Sequence, residues 1–446
     1  MKRELTSGSV MKNLLFFSLP YLLSFFLQTL YGMADLLIIG QFGSVADTTA
    51  VSVGSQVMHM LTVMIVGLAM GATVNIGQAI GGRDNRRAAL FTGNTVTLFM
   101  GISSVLTLLL LVLRRAIVSA VSTPADAAAG TVDYLTICFI GIPFITAYNI
   151  ISAVFRGMGD SKSPMYFIAV ACAANIALDY LFIGVLGMGP AGAALGTVLS
   201  QAISVIISLI VIKRRSTGLA LTKADIRPNK QIIGKILKIG IPVAMQDGFI
   251  QIAFMVITVI ANRRGLNDAA AVGIVEKIIG FLFLVPSSML SAVSALGAQN
   301  IGAGKQKRAE QTMWCAALIA VVFGLIVAIT IQFISVPVVG LFTTDAEVAR
   351  LGGQYIRGYI WDCIFAGVHF TFSGYFCACG RSEFSFLHNI IAILLVRIPG
   401  VYLTSIWFPD TLFPMGITTA CGSLTSIILC LLVFRYLKKK PIRTAV

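Results

Sequence analysis

The stretch Ser18–Gly40, SLPYLLSFFLQTLYGMADLLIIG, is an apolar segment long enough to cross a lipid bilayer. It carries a proline near its start, Pro20, and one carboxylate, Asp35, among leucines and isoleucines. A charged side chain at that depth costs about 2.5–3.5 kcal/mol on insertion scales, so it is expected to face a water-filled cavity or the interior of a helix bundle. The segment therefore predicts a membrane helix with a functional carboxylate.

The composition extends this interpretation to the whole chain. Of the 446 residues, 57% are hydrophobic and 11% are charged, whereas about 25% of the residues of a soluble protein are charged. The apolar runs are continuous and do not alternate as the strands of outer-membrane barrels do. An all-α membrane protein with many spanning helices is therefore predicted.

The formal net charge of +15 is carried mostly by short loops between apolar segments. This distribution sets the orientation of a membrane protein and does not indicate nucleic-acid binding. It predicts that both termini lie in the cytoplasm. Outside the linker described next, the predicted inner segments carry Lys2, Arg3, Lys12, Arg83, Arg86, Arg87, Arg156, Lys162, Lys305, Lys307, Arg308, Arg381, Arg435, Lys438, Lys439, Lys440 and Arg443.

Twelve spans are predicted, and they are separated in the middle by the polar stretch Lys213–Lys230. We interpret this stretch as a basic cytoplasmic linker, 213–230, between an N-lobe, 1–212, and a C-lobe, 231–446. The predicted spans are 13–40, 51–78, 89–112, 130–155, 164–184, 191–212, 232–262, 271–297, 311–335, 352–379, 384–407 and 414–436.

The two halves repeat each other. Residues 78–88, QAIGGRDNRRA, align without a gap with 299–309, QNIGAGKQKRA, and Pro20 and Pro242 open the first helix of each half. Since both halves begin on the same side, the repeat is parallel, with its axis along the membrane normal, and a substrate path between the halves is expected. Some channels also have a duplicated architecture, so the repeat alone does not establish transport.

Polar residues inside the spans of the first half form a short set. Asn175 and Asp179 are four apart, which places them on one face of a helix. Carboxylate, amide and hydroxyl oxygens are ligands for a hard cation, and two neighbouring carboxylates can also share a proton. Na⁺ and H⁺ both fit this chemistry, and interhelical hydrogen bonding is the structural alternative. The candidates are Gln28, Tyr31, Asp35, Tyr134, Asn149, Asn175, Asp179 and Thr197.

The second half carries different charges, and the equivalents of Asp35 and Asp179 fall near Ile257 and Gly400. Two interpretations stay open for its charged residues. Some can form internal ion pairs that hold the bundle, namely Glu276, Lys277 and Arg397. Others can line a cavity and attract a cationic substrate, namely Asp247 and Asp362.

Enzyme chemistry is not indicated. The three histidines are far apart in sequence, the eight cysteines lie mostly in apolar spans, and the GGRDNRRA loop lacks the GK[ST] element of a phosphate-binding loop. We therefore expect no cofactor, no metal other than a coupling Na⁺, and no catalytic residues.

With its twelve predicted spans, its proline-containing first helix and its paired GQAIGGRD and AQNIGAGK loops, the chain resembles the multidrug and toxic compound extrusion (MATE) transporters. Over its whole length it is most similar to the DinF-type branch. The resemblance implies a V-shaped fold of two pseudo-symmetric six-helix lobes. It also implies an inner-membrane antiporter that exports amphiphilic, often cationic, compounds.

The same resemblance assigns roles to residues. The branch's cation site matches Asp35, Asn175, Asp179 and Thr197, with Tyr134 and Asn149 as polar neighbours. Its cavity residues match Gln28 and Tyr31, and its kink proline matches Pro20. The chain departs from the NorM-type branch, whose seventh-helix glutamate position is Ile250 here, with Asp247 and Gln251 nearby.

The sequence thus predicts a secondary active antiporter of a prokaryotic cytoplasmic membrane, driven by H⁺ or Na⁺ bound in the N-lobe and working as a monomer by alternating access. Its expected substrates are amphiphilic or cationic drugs or toxic metabolites, with a role in antibiotic resistance. The alternative is a flippase for a lipid-linked precursor, from the same superfamily. Such flippases typically have two further helices and a strongly cationic cavity.

Overall fold

Long apolar runs can satisfy their backbone hydrogen bonds in a membrane only as helices or closed barrels. The computed structural model describes residues 5–214 and 221–439, and over these residues the chain is helical with no strand. The predicted inner charges Lys2, Arg3, Lys440 and Arg443, and residues 215–220 of the predicted linker, lie outside the described residues.

Residues 5–214 form seven α-helices, and a π-helical segment, Tyr180–Val185, directly follows the sixth. The helices are α1 (Val10–Phe42), α2 (Val45–Gly81), α3 (Asn85–Ala120), α4 (Ala125–Ile140), α5 (Ile142–Gly157), α6 (Lys162–Asp179) and α7 (Gly189–Arg214).

Residues 221–439 form nine α-helices, and again one π-helical segment, Ile393–Arg397. The helices are α8 (Lys230–Asn262), α9 (Leu266–Leu282), α10 (Leu284–Gly302), α11 (Gln306–Gly340), α12 (Ala346–Tyr359), α13 (Asp362–Ala378), α14 (Ser382–Ala392), α15 (Ile398–Trp407) and α16 (Phe413–Lys439).

Within the described residues, ten helical segments are long and apolar enough to cross a membrane. An eleventh is the pair α4 and α5, bent by 49° where Gly141 and Pro143 interrupt the helix. The one remaining predicted span, 352–379, corresponds to α12 and α13. These helices have 14 and 17 residues, and each is too short alone to cross a hydrocarbon core of about 30 Å.

The helices form two compact units, and one of these units is built from two separate stretches of the chain. One unit contains residues 23–240, and the other contains, among the described residues, 5–22 and 241–439. Helix α1 therefore begins in the second unit and continues in the first. Helix α8 begins in the first unit and continues in the second. Each change of unit lies within three residues of the proline of its helix, Pro20 or Pro242.

Two glycines explain why the start of α8 belongs to the first unit. A Cβ on Gly71 of α2 would lie 2.1 Å from the carbonyl oxygen of Ile236, and a Cβ on Gly240 of α8 would lie 2.3 Å from that of Leu68. The two backbones approach so closely only because both positions lack a side chain. Ile236 is completely buried in the same apolar cluster as Phe91 and Phe99.

The described end of the linker is held on α3. Asp225 Oδ2 accepts hydrogen bonds of 2.8 Å from the backbone N–H and the hydroxyl of Thr222. Asp225 Oδ1 lies 2.7 Å from Arg86 Nη1, and Asn94 donates to the Asp225 carbonyl at 3.1 Å. The Thr222 donors first, and then the Arg86 guanidinium, hold the pKa of the Asp225 carboxyl below its usual range.

We expect Asp225→Asn to lower the thermal unfolding temperature of the purified protein by a few degrees at neutral pH. A carboxyl whose pKa is lowered by folding stabilises the folded state above its unfolded pKa, and this stabilisation is lost as the pH falls through the folded pKa. The difference from wild type should therefore shrink in acid. Asp410→Asn, at an exposed loop residue, is the control, and an equal difference at every pH would contradict the assignment.

Candidate functional site

Four polar side chains from three helices meet inside the first unit. Asp35 comes from α1, Asn175 and Asp179 from α6, and Thr197 from α7. Thr197 donates its hydroxyl proton to Asp35 Oδ2 at 3.2 Å, and Asp179 and Asn175 are also interaction partners of the Asp35 carboxylate. Asp35 is 3% exposed, and Asn175 and Asp179 are completely buried. The residues that the sequence predicted as a cluster are thus together in the structure.

A change of helix type occurs at this cluster. Helix α6 ends at Asp179, and the π-helical segment Tyr180–Val185 begins at the next residue. Such wide turns are rare, and they occur frequently at functional sites. The wider turn sets the direction that the chain takes after α6 ends at Asp179.

Gly196 makes room for the Asp179 carboxylate, and sequence reasoning missed this residue. A Cβ at Gly196 would lie 2.0 Å from Asp179 Oδ1, so any larger side chain there must displace the carboxylate. The available signal was weak, since Gly196 is simply the small residue before Thr197.

Three of the four carboxylate oxygens of the cluster lack a hydrogen-bond partner among the described residues. These are Asp35 Oδ1 and both oxygens of Asp179, and the two polar atoms of the Asn175 amide are also buried without a hydrogen bond. Among the described residues, no Lys, Arg or His forms an ion pair with either carboxylate. Buried unpaired carboxylates are strongly unfavourable, so the geometry suits a bound proton or a hard monovalent cation with oxygen ligands. A cluster of three or more metal-binding His, Cys, Asp or Glu residues does not occur in the described ranges.

The two predicted polar neighbours have different surroundings. Tyr134 is 2% exposed and packs on α2, where a Cβ at Gly54 would lie 2.4 Å from its ring. Asp35 is among the charges that act on the Tyr134 hydroxyl, so this residue borders the cluster. Asn149 instead donates to the carbonyl of Ile145, one turn back in its own helix, at 2.9 Å.

The predicted cavity residues Gln28 and Tyr31 lie on α1 at spacings that place them on the same face as Asp35. Both are partly buried, and Tyr31 packs against the cluster of Tyr148 and Phe167. The predicted kink residue Pro20 is buried in α1, two residues before the helix changes unit.

In the second unit, Arg397 is the centre of a separate polar group. Its Nη2 donates to the hydroxyl of Tyr359 and lies 3.8 Å from Asp362 Oδ2, and its guanidinium stands 5.2 Å from the centre of the Phe254 ring. Glu276 accepts a hydrogen bond of 3.2 Å from Thr258 and is an electrostatic partner of Arg397.

The other predicted charged residues of the second half differ in burial. Lys277 is exposed, whereas Glu276 beside it is partly buried. Asp362 is completely buried against Arg397, and Asp247 is partly buried on α8. Sequence reasoning did not select Tyr359, because its contact with Arg397 joins two segments that are distant in the sequence.

A family model described as MatE matches the chain twice, over residues 20–181 and 242–403. The two matches begin at Pro20 and Pro242, which agrees with the internal repeat.

Related proteins cover nearly the whole chain. The probable multidrug resistance protein YpnP of Bacillus subtilis is 30% identical over 441 residues, covering 99% of this chain and 98% of that protein. The multidrug export protein MepA of Staphylococcus aureus is 24% identical, covering 90% of this chain and 88% of that protein. The outward-facing structure of a multidrug resistance MATE family transporter matches with a TM-score of 0.90 at 22% identity, covering 98% of both chains.

Proposed function

The chain belongs to the MatE family of membrane transporters, and we propose that it is a secondary active antiporter that exports amphiphilic or cationic compounds. H⁺ or Na⁺ bound by Asp35, Asn175, Asp179 and Thr197 drives the export. The observation that carries this proposal is the pair of buried carboxylates, three of whose four oxygens have no hydrogen-bond partner among the described residues. As a family member the protein is a transporter and not an enzyme.

Coupling requires that the ion binds the two conformations differently. In the arrangement described here, Thr197 and Asn175 surround two carboxylates that repel each other when both are charged. A proton or Na⁺ removes the repulsion and stabilises this arrangement. A conformation in which α1 moves away from α6 and α7 separates the ligands, and so it binds the ion more weakly.

Helix α1 is suited to transmit this change. Asp35 lies in the part of α1 that belongs to the first unit, and residues 10–22 of the same helix belong to the second. Pro20 removes a backbone hydrogen bond close to the point of change, where a helix bends most easily. We propose that α1 bends at Pro20 when Asp35 gains or loses its ion, and that the two compact units act as the N- and C-lobes.

The expected cargo follows from the site and from the relatives. YpnP and MepA are described as multidrug resistance and multidrug export proteins, and Gln28 and Tyr31 share a face of α1 with the ion site. Cargo bound on that face disfavours the conformation that holds the ion. We propose a multi-pass protein of the bacterial cytoplasmic membrane, monomeric, with both termini in the cytoplasm.

The competing function is flipping of a lipid-linked precursor. Flippases of this kind share the two-lobed architecture of the exporters but have a strongly cationic cavity. The site of the first unit presents carboxylates and an amide, and no arginine of residues 5–214 or 221–439 forms an ion pair with it. This observation favours a coupling-ion site and hence antiport.

Reconstituted liposomes test the proposal. With the lipophilic cation ethidium as cargo, we expect uptake when a pH gradient or a Na⁺ gradient is imposed, and no uptake when both are collapsed. The gradient that works identifies the ion. Uptake that is equal with and without gradients would contradict antiport, and translocation of a lipid-linked sugar precursor without ethidium transport would favour the flippase.

A further inference from the structure

The surface of α3 that holds the linker has a counterpart on α11, through the internal repeat. The gapless alignment of residues 78–88 with 299–309 places the start of α3 on the start of α11, and it continues along both helices. Four residues of α3 that contact the linker thus have counterparts on α11, and the pairs are Arg86 and Lys307, Gly93 and Trp314, Asn94 and Cys315, and Thr97 and Leu318.

In the first unit, this surface is covered by the linker. Asp225 Oδ1 lies 2.7 Å from Arg86 Nη1, and Asn94 donates a hydrogen bond of 3.1 Å to the carbonyl oxygen of Asp225. A Cβ at Gly93 would lie 2.3 Å from the same carbonyl oxygen, so the linker backbone lies directly on the helix. The first turn of α3 therefore holds an acidic group, and the chain attached to that group covers the turns that follow.

In the second unit, the counterpart surface on α11 is apolar and exposed. Trp314 is 46% exposed and Leu318 is 57% exposed. The Trp314 ring is fixed by edge contacts with Phe372 and Phe434, whose centroids are 5.4 and 6.1 Å away. Tryptophan near the end of a membrane helix is typical of the zone where headgroups meet acyl chains. We therefore expect lipid to cover this surface.

Positive charge lies at the start of the same surface. Lys305, Lys307, Arg308, Glu310 and Lys438 line one open groove. Lys438 Nζ lies 3.5 Å from Glu310 Oε2, so the carboxylate of the groove already has a cation. Within residues 5–214 and 221–439, the other three cations form no ion pair with a carboxylate. The groove thus carries excess positive charge.

Neutral acceptors hold two of these cations in place. The Arg308 guanidinium donates to the carbonyl oxygens of Ser7 and Gly8 at 2.7 and 2.8 Å, and Lys305 Nζ donates to the carbonyl oxygen of Thr6 at 2.8 Å. Carbonyl groups orient a charge without cancelling it. Lys307 lies between these two residues in the sequence and is exposed, so its ammonium group is available to an anion.

We propose that an anionic phospholipid binds on α11, with its phosphate beside Lys307 and an acyl chain along Trp314 and Leu318. These three residues follow one another at helical spacing and so share one face. The lipid takes the place that Asp225 and the linker backbone hold in the first unit. Lysine and arginine clusters beside membrane helices attract anionic headgroups. Residues 440–446 contain no acidic side chain and do not supply this group.

Quenching of tryptophan fluorescence tests this site on the purified full-length protein in detergent. The probes are phosphatidylglycerol and phosphatidylcholine with brominated acyl chains, because bromine quenches a tryptophan that it contacts. The signal of interest is the part of the quenching that Trp314→Phe removes. We expect phosphatidylglycerol to reach half of this quenching at about tenfold lower concentration than phosphatidylcholine.

A charge reversal identifies the group that holds the phosphate. Lys307→Glu should abolish the difference between the two lipids, since it repels the phosphate and leaves the packed residues unchanged. Lys230→Glu reverses another exposed lysine, at the start of α8, and should keep the difference. Inorganic phosphate added at constant ionic strength should not relieve the quenching, because it lacks the acyl chain.

Three results would overturn the proposal: equal quenching of wild type by the two lipids, an unchanged preference in Lys307→Glu, or relief of the quenching by inorganic phosphate. The last of these would show that the groove binds a free anion and not a lipid. Because these assays measure lipid binding, their failure leaves gradient-driven transport of ethidium unaffected.

Discussion

Asp35→Asn should reduce gradient-driven export of ethidium by about 10- to 100-fold, the range expected when a charged partner is lost from a buried polar site. Asparagine has nearly the same shape as aspartate and still accepts the hydrogen bond from Thr197. It cannot become charged, so it no longer requires a proton or Na⁺ for neutralisation. The measurement is initial uptake into everted membrane vesicles under an imposed ion gradient.

The control for this variant is Asp410→Asn, which removes a carboxylate from an exposed loop and should export as wild type does. Circular dichroism and size-exclusion chromatography of purified Asp35→Asn should match wild type, since no packing volume changes. Export at the wild-type rate by a correctly folded Asp35→Asn would show that the ion does not act through this carboxylate.

Gly196→Ala should impair export by about tenfold without altering a charged residue. The new Cβ would stand 2.0 Å from Asp179 Oδ1, so the carboxylate must leave its position in the cluster and we expect the ion to lose a ligand. Overpacking of a tight core costs about 1–3 kcal/mol, and we therefore also expect a lower unfolding temperature. Ion-dependent uptake of ethidium and thermal unfolding are measured on the same preparation.

Gly101→Ala is the matched control, because nothing lies within 4 Å of a Cβ built at this helical glycine. It should leave export unchanged and make the protein equally or slightly more stable, since alanine is the better helix former. If Gly196→Ala exported as well as Gly101→Ala, the position of the Asp179 carboxylate would not matter for coupling.

The ion site was predictable in part. The four-residue spacing of Asn175 and Asp179 fixes one face of α6, and a lone Asp35 in an apolar helix indicates an interior position. Composition and hydropathy also suffice to predict the helical membrane fold. Which faces of α1, α6 and α7 meet depends on packing between distant segments, and neither spacing nor hydropathy contains that information.

Other features follow from geometry that the sequence does not display. The π-helical segments Tyr180–Val185 and Ile393–Arg397 have no periodicity that distinguishes them from the α-helical turns beside them, so the pattern of apolar residues cannot reveal them. The close contact of Gly71 with α8 is equally hidden, and with it the change of unit along α8. Lys277 lies exposed beside the partly buried Glu276, since neighbouring residues on a helix point in different directions.

Ion release on cargo binding is the most direct test of the central claim that Asp35 and its cluster exchange an ion for cargo. Purified protein is titrated with ethidium while released protons are followed with a pH indicator in weak buffer, and bound radioactive Na⁺ is followed in parallel. Wild type should release one of the two ions, and Asp35→Asn should release neither while keeping its fold. Equal release by the two proteins would contradict the account.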